Sequence, residues 1–410
     1  MKLATPAVVF LYVVVTLFIC EVLVYFPVLL LCNWPSSNGT RVLKAMILSD
    51  PHLLGHRAGH WFDKLRREWQ MYRSFQTALL IHRPEVVFVL GDLFDEGWWV
   101  YDKGEYEGYI NRFFDMFGTP AGVPLYVAVG NHDIGFHDMI SENRLQWFRN
   151  RFGSGPVQLI EISNVWFVLL NSMAFEGDGC RLCDEAIIEI RELNKRFSCV
   201  NNRSQLVTRM THTSNDETQN GEVVNKTANE NTCHGISQRP VVMLHFPLYR
   251  HSDANCNEPD KAPDNEKYKP MTARIDALDP EASRFVLEML KPAAVFNGHT
   301  HNGCVTVHKK YNVTEYTVSS FSWRNRKDPT FLLVSFPVPN LDLHAKLPSR
   351  SPFPTVSKCF LPKESLLIGM YAAAVIGLTV WMLVLCVGLV KRRLCRFVSY
   401  RKFDNISVKT

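Results

Sequence analysis

The sequence predicts an α/β domain, a two-layer sheet sandwich flanked by helices, carried between two membrane-spanning helices. Three observations predict it. Short, wholly apolar runs such as Val86-Val87-Phe88-Val89-Leu90 read as strands buried on both faces. Over about the first 150 residues such runs alternate with helical patterns, as α/β domains do, while the later runs lie closer together and read as more antiparallel. Residues 6–32 and 365–390 are almost free of charge, and each exceeds the roughly 20 residues that cross a bilayer.

The ends set the layout. Residues 1–33 read as a short cytosolic stub and a transmembrane helix, 34–364 as a lumenal domain, 365–390 as a second transmembrane helix and 391–410 as a basic cytosolic tail. A cleaved signal peptide is the alternative for 6–32. The stretch is longer than the usual apolar region of ~7–15 residues, and no small-x-small cleavage site precedes Asn33, so a retained anchor is favoured. Glu21 is its only charge and reads as a helix-partner contact or a tolerated lone acid. Lys391-Arg392-Arg393, with Arg396, Arg401 and Lys402 behind, places the tail in the cytosol by the positive-inside rule, and two crossings put the N-terminus there too. Sequons at Asn38, Asn202, Asn225 and Asn312 fall in the predicted lumenal part, although Asn405 in the tail also matches. Cys180, Cys183, Cys199, Cys233, Cys256, Cys304 and Cys359 lie there as well; Cys32 at the membrane edge makes the number even. An oxidising compartment makes disulfides their default fate, with the pairing left open. The net charge is +5 with no long basic run before the C-terminus, so nucleic acid is not an expected partner.

Residues 61–82 carry apolar side chains at Trp61, Phe62, Leu65, Trp69, Tyr72, Phe75 and Leu79, which is helical spacing, with Lys64, Arg66 and Arg67 opposite. Pro84 closes that helix. Further helices are expected over 106–117, 141–152 with Ser141 as N-cap, 184–197, and 280–290 with Asp279 as N-cap. Residues 157–162 and 165–170 read as two strands joined through Ser163-Asn164; 305–308 and 311–318 read as a hairpin; 331–336 is the last clear strand. Residues 198–238, rich in Asn, Thr and Ser, read as a polar, partly disordered loop insertion. Residues 341–361 read as a Pro- and Ser-rich lead into the membrane.

The chemistry gathers where strands end. The run ending at Leu48 leads to Asp50 and His52, the central run to Gly91, Asp92 and Asp95, and 125–129 to Asn131, His132 and Asp133. Residues 241–244 end on His245, and 294–296 lead to His299 and His301. Ligands collect at such strand ends in α/β sheets. Carboxylate, imidazole and carboxamide donors suit Mn²⁺, Fe²⁺ or Zn²⁺. Asp50, His52, Asp92, Asn131, His245, His299 and His301 are more donors than one ion takes, so a pair of ions with Asp92 shared is expected. His132 is not needed as a ligand and suits a general acid for a leaving alkoxide, with Asp133 or Asp95 to orient it or the ligands. A lone His-x-His or Gly-Asp is weak; the order D-x-H, G-D-x-x-D, G-N-H-D, His, G-H-x-H, each after an apolar strand, is what carries the reading. Trp98, Trp99, Tyr101, Tyr106 and Tyr109 are candidates for stacking on sugar, or for helix packing or a membrane-facing belt. Cys180-x-x-Cys183 lacks two further zinc ligands at suitable spacing and reads as a disulfide.

This set resembles the calcineurin-like metallophosphoesterase superfamily over residues 44–336. The resemblance implies a β-sandwich flanked by helices, with a dinuclear centre. Asp50, His52 and His301 would hold the first ion, Asn131, His245 and His299 the second, Asp92 would bridge them and His132 would assist the leaving group. A narrower likeness covers almost the whole chain through CNWP at 32–35, KLRREWQM at 64–71, residues 84–88, GNHDIGFH at 130–137, SDANC at 252–256 and SFSWRNR at 320–326. These segments are similar to the branch of the superfamily that remodels glycosylphosphatidylinositol (GPI) anchors. That likeness implies removal of the ethanolamine phosphate side branch from the second mannose, manganese as the metal, GPI-anchored proteins as substrate, and the ER and Golgi membrane with early secretory cargo receptors as partners. It also implies residence in ER exit sites, the ER–Golgi intermediate compartment and the cis-Golgi, although the tail has no dilysine retrieval pattern. A lumenal phosphatase for another phosphoester, and a non-catalytic receptor for GPI-anchored cargo, are the alternatives.

Overall fold

The computed structural model describes residues 4–36, 41–57, 59–177, 179–213, 239–338 and 353–407. They form two compact units, one built from residues up to Val28 and from Pro362 onward, the other from residues 29–361.

Eleven strands are described in the second unit: β1 (Val42–Leu48), β2 (Val86–Leu90), β3 (Leu125–Ala128), β4 (Val157–Ile162), β5 (Val165–Leu170), β6 (Val241–Leu244), β7 (Ala294–Asn297), β8 (Cys304–His308), β9 (Val313–Thr317), β10 (Thr330–Pro337) and β11 (Thr355–Phe360). One sheet has the order β11-β10-β1-β2-β3, the other β4-β5-β6-β7-β9-β8. Leu43, Ala45 and Ile47 of β1 and Val86, Phe88 and Leu90 of β2 share a core with Phe167, Leu169, Val241, Met243, Ala294 and Phe296 of the other sheet. Across that core the Phe88 and Phe167 rings are 4.8 Å apart. The intervening Met46, Val87 and Val89 are buried too, which is why these strands read as unbroken apolar runs.

Nine helices are described across the two units: α1 (Ala4–Phe18), α2 (Tyr25–Leu30), α3 (Trp61–His82), α4 (Lys103–Phe117), α5 (Asn131–Ile134), α6 (Glu142–Phe152), α7 (Arg181–Thr213), α8 (Pro280–Leu290) and α9 (Glu364–Ser407). Helices α3 and α4 are the crossovers that let β1, β2 and β3 run parallel. Arg83 ends α3 in the left-handed region at φ 46°, just before Pro84. Asp279 caps α8, accepting from the Ala282 N–H at 2.7 Å, whereas Ser141 precedes α6 without a side-chain cap bond.

The later strands are the more antiparallel, as expected: β4–β5, β8–β9, β10–β1 and β10–β11 pair that way. Within the second sheet α7 and α8 carry the chain back so that β5, β6 and β7 run parallel, and β8 returns it so that β9 lies parallel to β7. Three expectations change. Helix α7 runs on to Thr213, so 198–213 of the expected loop is helical; 214–238 lies outside the described residues. The lead into the membrane contains β11, paired antiparallel with β10; 339–352 lies outside the described residues. The apolar side chains of α3 do not share one buried face. Phe75 and Leu79 are buried, but Trp61, Phe62, Leu65 and Trp69 are exposed.

Three disulfides join described cysteines: Cys32–Cys359, Cys180–Cys183 and Cys256–Cys304. In the terminal unit α1 and α2 flank a π-helical turn, Ile19–Leu23, that contains Glu21. The Tyr371 hydroxyl of α9 donates to the Glu21 carboxylate, and Tyr12 donates to the Ala374 carbonyl at 2.8 Å. Glu21 therefore has a helix partner. Both terminal segments are long and apolar enough to cross a membrane.

Candidate metal centre

Five strands deliver polar residues just past their ends to one place. Asp50 and His52 follow β1, Asp92 follows β2, Asn131 follows β3, His245 follows β6, and His299 and His301 follow β7. The backbone is bent to do it. Asp50, His52, Asp92, His299 and His301 all adopt positive φ, between 46° and 71°. The left-handed region costs a non-glycine residue roughly 1–2 kcal/mol, and such strain persists where surrounding structure holds it for function. Gly91, at φ 89°, makes the turn before Asp92; a Cβ there would stand 2.7 Å from His245 Nδ1.

The donors fall into two groups that share one carboxylate. Asp92 Oδ2 lies 3.4 Å from His52 Nε2 and 3.2 Å from His245 Nε2. On one side His52 Nε2 is 3.0 Å from His301 Nε2, and Asp50 Oδ1 is 3.9 Å from each. On the other, His245 Nε2 is 3.1 Å from Asn131 Oδ1 and 3.2 Å from His299 Nδ1. All seven sequence-derived donors are thus brought together, and Asp92 stands in both groups.

Backbone carbonyls set which ring nitrogen keeps a lone pair. His245 Nδ1 faces the Leu90 carbonyl at 2.7 Å, and His299 Nε2 faces the Ile275 carbonyl at 2.7 Å. A carbonyl only accepts, so those nitrogens carry hydrogen, and it is His299 Nδ1, and His245 Nε2 once that ring is neutral, that offer lone pairs inward. His52 Nδ1 is 3.3 Å from Asp95 Oδ1, which turns its Nε2 inward likewise. His132 Nδ1 donates to the Asp95 carbonyl at 2.8 Å, and its backbone N–H donates to Asp92 Oδ1 at 2.8 Å.

The electrostatics follow from burial. Asp50 and Asp92 are both buried. Burial pushes the Asp50 carboxyl up. Burial also opposes ionisation of Asp92, but the cations of His245 and His132 outweigh it and hold Asp92 well below the usual range. Burial disfavours a charged His245, yet the Asp92 carboxylate overrides this and pushes the ring up to about 9. Burial and His245 push His299 down to about 3. Burial, Asp92's charge notwithstanding, works against a charged His132; Asp92 and the Asp95 carbonyl prevail and raise it.

Two buried carboxylates and converging imidazole lone pairs are a cradle for positive charge. Nε2 atoms 3.0 Å apart need a proton or a cation between them. The donor set, oxygen and nitrogen without sulfur, fits two divalent ions of the Mn, Fe or Zn kind.

Several supporting residues were missed from sequence. Ser320 Oγ donates to the Asp50 carbonyl at 2.7 Å, Arg324 Nη1 is 2.9 Å from Asp95 Oδ2, and the Phe246 ring lies 4.1 Å from that of His299. Ser320 and Arg324 sit in the SFSWRNR segment, which marked the place without the role. Asp133 does not touch the His132 ring; its carboxylate accepts from the N–H groups of Gly130 and Phe94 at 2.8 and 3.1 Å. Among the five candidate sugar-stacking aromatics, Tyr106 and Tyr109 are buried and so unavailable, because their rings pack on Phe94. Trp98 is half-buried against Trp99, 4.4 Å between rings, while Trp99 and Tyr101 are exposed.

Comparison with known proteins agrees with this geometry. The model of the calcineurin-like phosphoesterase family matches residues 43–303. Metallophosphoesterase 1 of Mus musculus is 41% identical over 369 residues, covering 88% of this chain and 84% of that one. Metallophosphoesterase 1 of Danio rerio is 38% identical over 372 residues, covering 90% and 89%. A remote likeness, at 11% identity and a TM-score of 0.40 over 72% of this chain and 95% of the other, is to a dimetal phosphatase from Danio rerio. The family match begins within β1 and ends just past His301, so it spans every strand end that supplies a donor, and this chain is a metal-dependent member of the calcineurin-like phosphoesterase family.

Proposed function

We propose that this phosphoesterase removes the ethanolamine phosphate side branch from the second mannose of GPI anchors and so promotes ER-to-Golgi transport of the anchored proteins. The observation that carries the reading is one chain that joins a full set of seven donors and His132 to an apolar helix at each end. Its likeness to the anchor-remodelling branch over 64–71, 130–137, 252–256 and 320–326 points the same way. Manganese, residence in ER exit sites, the intermediate compartment and cis-Golgi, and early secretory cargo receptors as partners belong to the same reading.

Asp50, His52 and His301 would hold one ion, Asn131, His245 and His299 the other, with Asp92 between them. When bound, two divalent ions supply Lewis-acid charge and a water of lowered pKa. The chain's own contribution is at His132. Its Nδ1 hydrogen is engaged by the Asp95 carbonyl, and against its burial Asp92 and that carbonyl raise its proton affinity, which favours a proton on Nε2 as well. As the water oxygen bonds to phosphorus and the bond from phosphorus to the mannose oxygen breaks, that proton passes to the departing oxygen, and the proton the water gives up goes to solvent, from which His132 is recharged. The products are a free mannose hydroxyl and ethanolamine phosphate. A receptor without catalysis has no use for a group placed this way.

The test is made on the anchor. Cells lacking the protein receive wild type or Asp92→Ala, and GPI glycan mass is recorded. Loss of one ethanolamine phosphate with wild type alone is expected. Equal masses overturn the substrate and direct attention to another lumenal phosphoester.

A further inference from the structure

We infer that the amino-terminal half of α3 lies on the surface of the bilayer, so that the metal centre works on phosphoesters presented by the membrane in which the chain is anchored. This refines the proposed function and rests on reading the terminal apolar helices as membrane spans.

The helix changes character along its length. Past Gln70 it buries Met71, Phe75, Ala78 and Leu79. Before Gln70 it turns outward Trp61 (69% exposed), Phe62 (54%), Leu65 (61%) and Trp69 (40%). Trp61, Leu65 and Trp69 are four apart and stand one above another. The outward face of a helix on a soluble domain is polar, and large apolar side chains grouped there mark a contact surface.

The chemistry of the neighbours selects the occupant. Lys64, Arg66, Arg67 and Arg73 occupy the same turns against Asp63 and Glu68. The Arg73 guanidinium lies 5.8 Å from the Trp69 ring centre. Tryptophan beside cations is the composition of a helix lying in the headgroup layer, where the rings enter the acyl boundary and the cations meet phosphate.

Position supports the same occupant. At its C-terminal end the His82 carbonyl accepts from Trp34 Nε1 at 3.0 Å, and Trp34 is four residues past the end of α2. At its N-terminal end Trp61 is nine residues past His52, a metal donor. Within the domain, Arg112 pairs with Glu68 of α3 and donates to the Leu54 carbonyl at 2.9 Å, which ties the amino-terminal half of α3 to the loop that follows His52. The anchored chain is held at this bilayer at high effective concentration, which a protein partner free in solution is not.

The test uses the full-length, metal-loaded chain in phosphatidylcholine vesicles containing a phosphatidylcholine with a photoreactive group near its headgroup. After irradiation, lipid adducts are mapped by peptide mass spectrometry. Adducts on 61–73 are expected in the wild type. They should vanish in a Trp61→Ser/Leu65→Ser/Trp69→Ser variant that keeps its adducts on both terminal helices and its metal content. That variant should lose about tenfold in kcat/KM on a vesicle-embedded phosphodiester and keep its rate on a water-soluble one. Wild-type adducts confined to the terminal helices, or cross-links from 61–73 to a second copy, overturn the inference. The two proposals fail separately: lipid adducts on α3 with an unchanged GPI glycan sink only the substrate, and the reverse sinks only the docking.

Discussion

Arg324 Nη1 stands 2.9 Å from Asp95 Oδ2, and the other oxygen of that carboxylate is 3.3 Å from His52 Nδ1. The guanidinium therefore steadies a metal donor that it does not touch. The Asp95 carbonyl meanwhile holds His132, so one residue orients both a ligand and the proposed general acid.

Arg324→Ala should free the Asp95 carboxylate and loosen His52. Outer partners of metal ligands typically contribute 10–100-fold in metal affinity. A loss of that size is expected, with partial recovery in Arg324→Lys, read by metal titration monitored calorimetrically. Unchanged affinity in Arg324→Ala would show that His52 needs no such support.

Asp92 and His132 are bonded to each other, yet their removal should have different signatures. Asp92→Ala deletes the carboxylate common to both donor groups, and both metals and all activity should go. His132→Ala deletes no donor, so metal content should persist while the rate falls on the order of 10²–10⁴-fold. Elemental analysis beside a phosphodiesterase assay decides; equal metal loss in both variants removes the division of roles.

The donors were legible because each follows a strand whose sequence is unmistakable. A run such as VVFVL, five residues long, rich in β-branched side chains and ended by Gly91, favours a strand over a buried helix. What supports the donors was not legible, because the partners are backbone carbonyls of Leu90, Asp95 and Ile275 or residues remote in the chain, such as Arg324. Strand β11 was missed because Thr355-Val356-Ser357-Lys358-Cys359-Phe360 buries only Cys359 and follows a Pro- and Ser-rich stretch. Its Lys358 pairs with the buried Asp260, a contact no local pattern announces. The split character of α3 escaped for the opposite reason: its apolar spacing is regular throughout, and spacing does not say what covers a face.

The Cys32–Cys359 disulfide closes a loop of sequence separation 327 and fastens β11 beside the start of the domain. Disulfides contribute about 2–5 kcal/mol, mainly by restricting the unfolded chain. Cys359→Ser should lower the denaturation midpoint and speed amide exchange in β11 first. The donors lie on other strands, so metal affinity should be kept. Loss of metal with the disulfide would mean that the edge strand supports the centre.

The two histidines of one donor group predict a pH dependence of opposite weight. His299, pushed down to about 3, is already neutral above that, so it adds no slope to metal affinity, although stability falls with it as pH drops below about 6.5. His245, pushed up to about 9 in the metal-free chain, is protonated at neutral pH. Its folded value exceeds its ordinary one of 6.5, so the stabilisation from its ion pair with Asp92 is complete below about 6.5 and is lost as pH rises through about 9. A metal needs the neutral ring and must displace that proton, so metal affinity runs the other way and climbs up to about tenfold per pH unit until about 9. Metal titrations at several pH values, with proton release measured in buffers of different ionisation enthalpy, check it. In His245→Asn the slope should flatten along with the lower affinity. A wild-type affinity independent of pH between about 6 and 9 would mean that the His245 ring is neutral before the metal arrives.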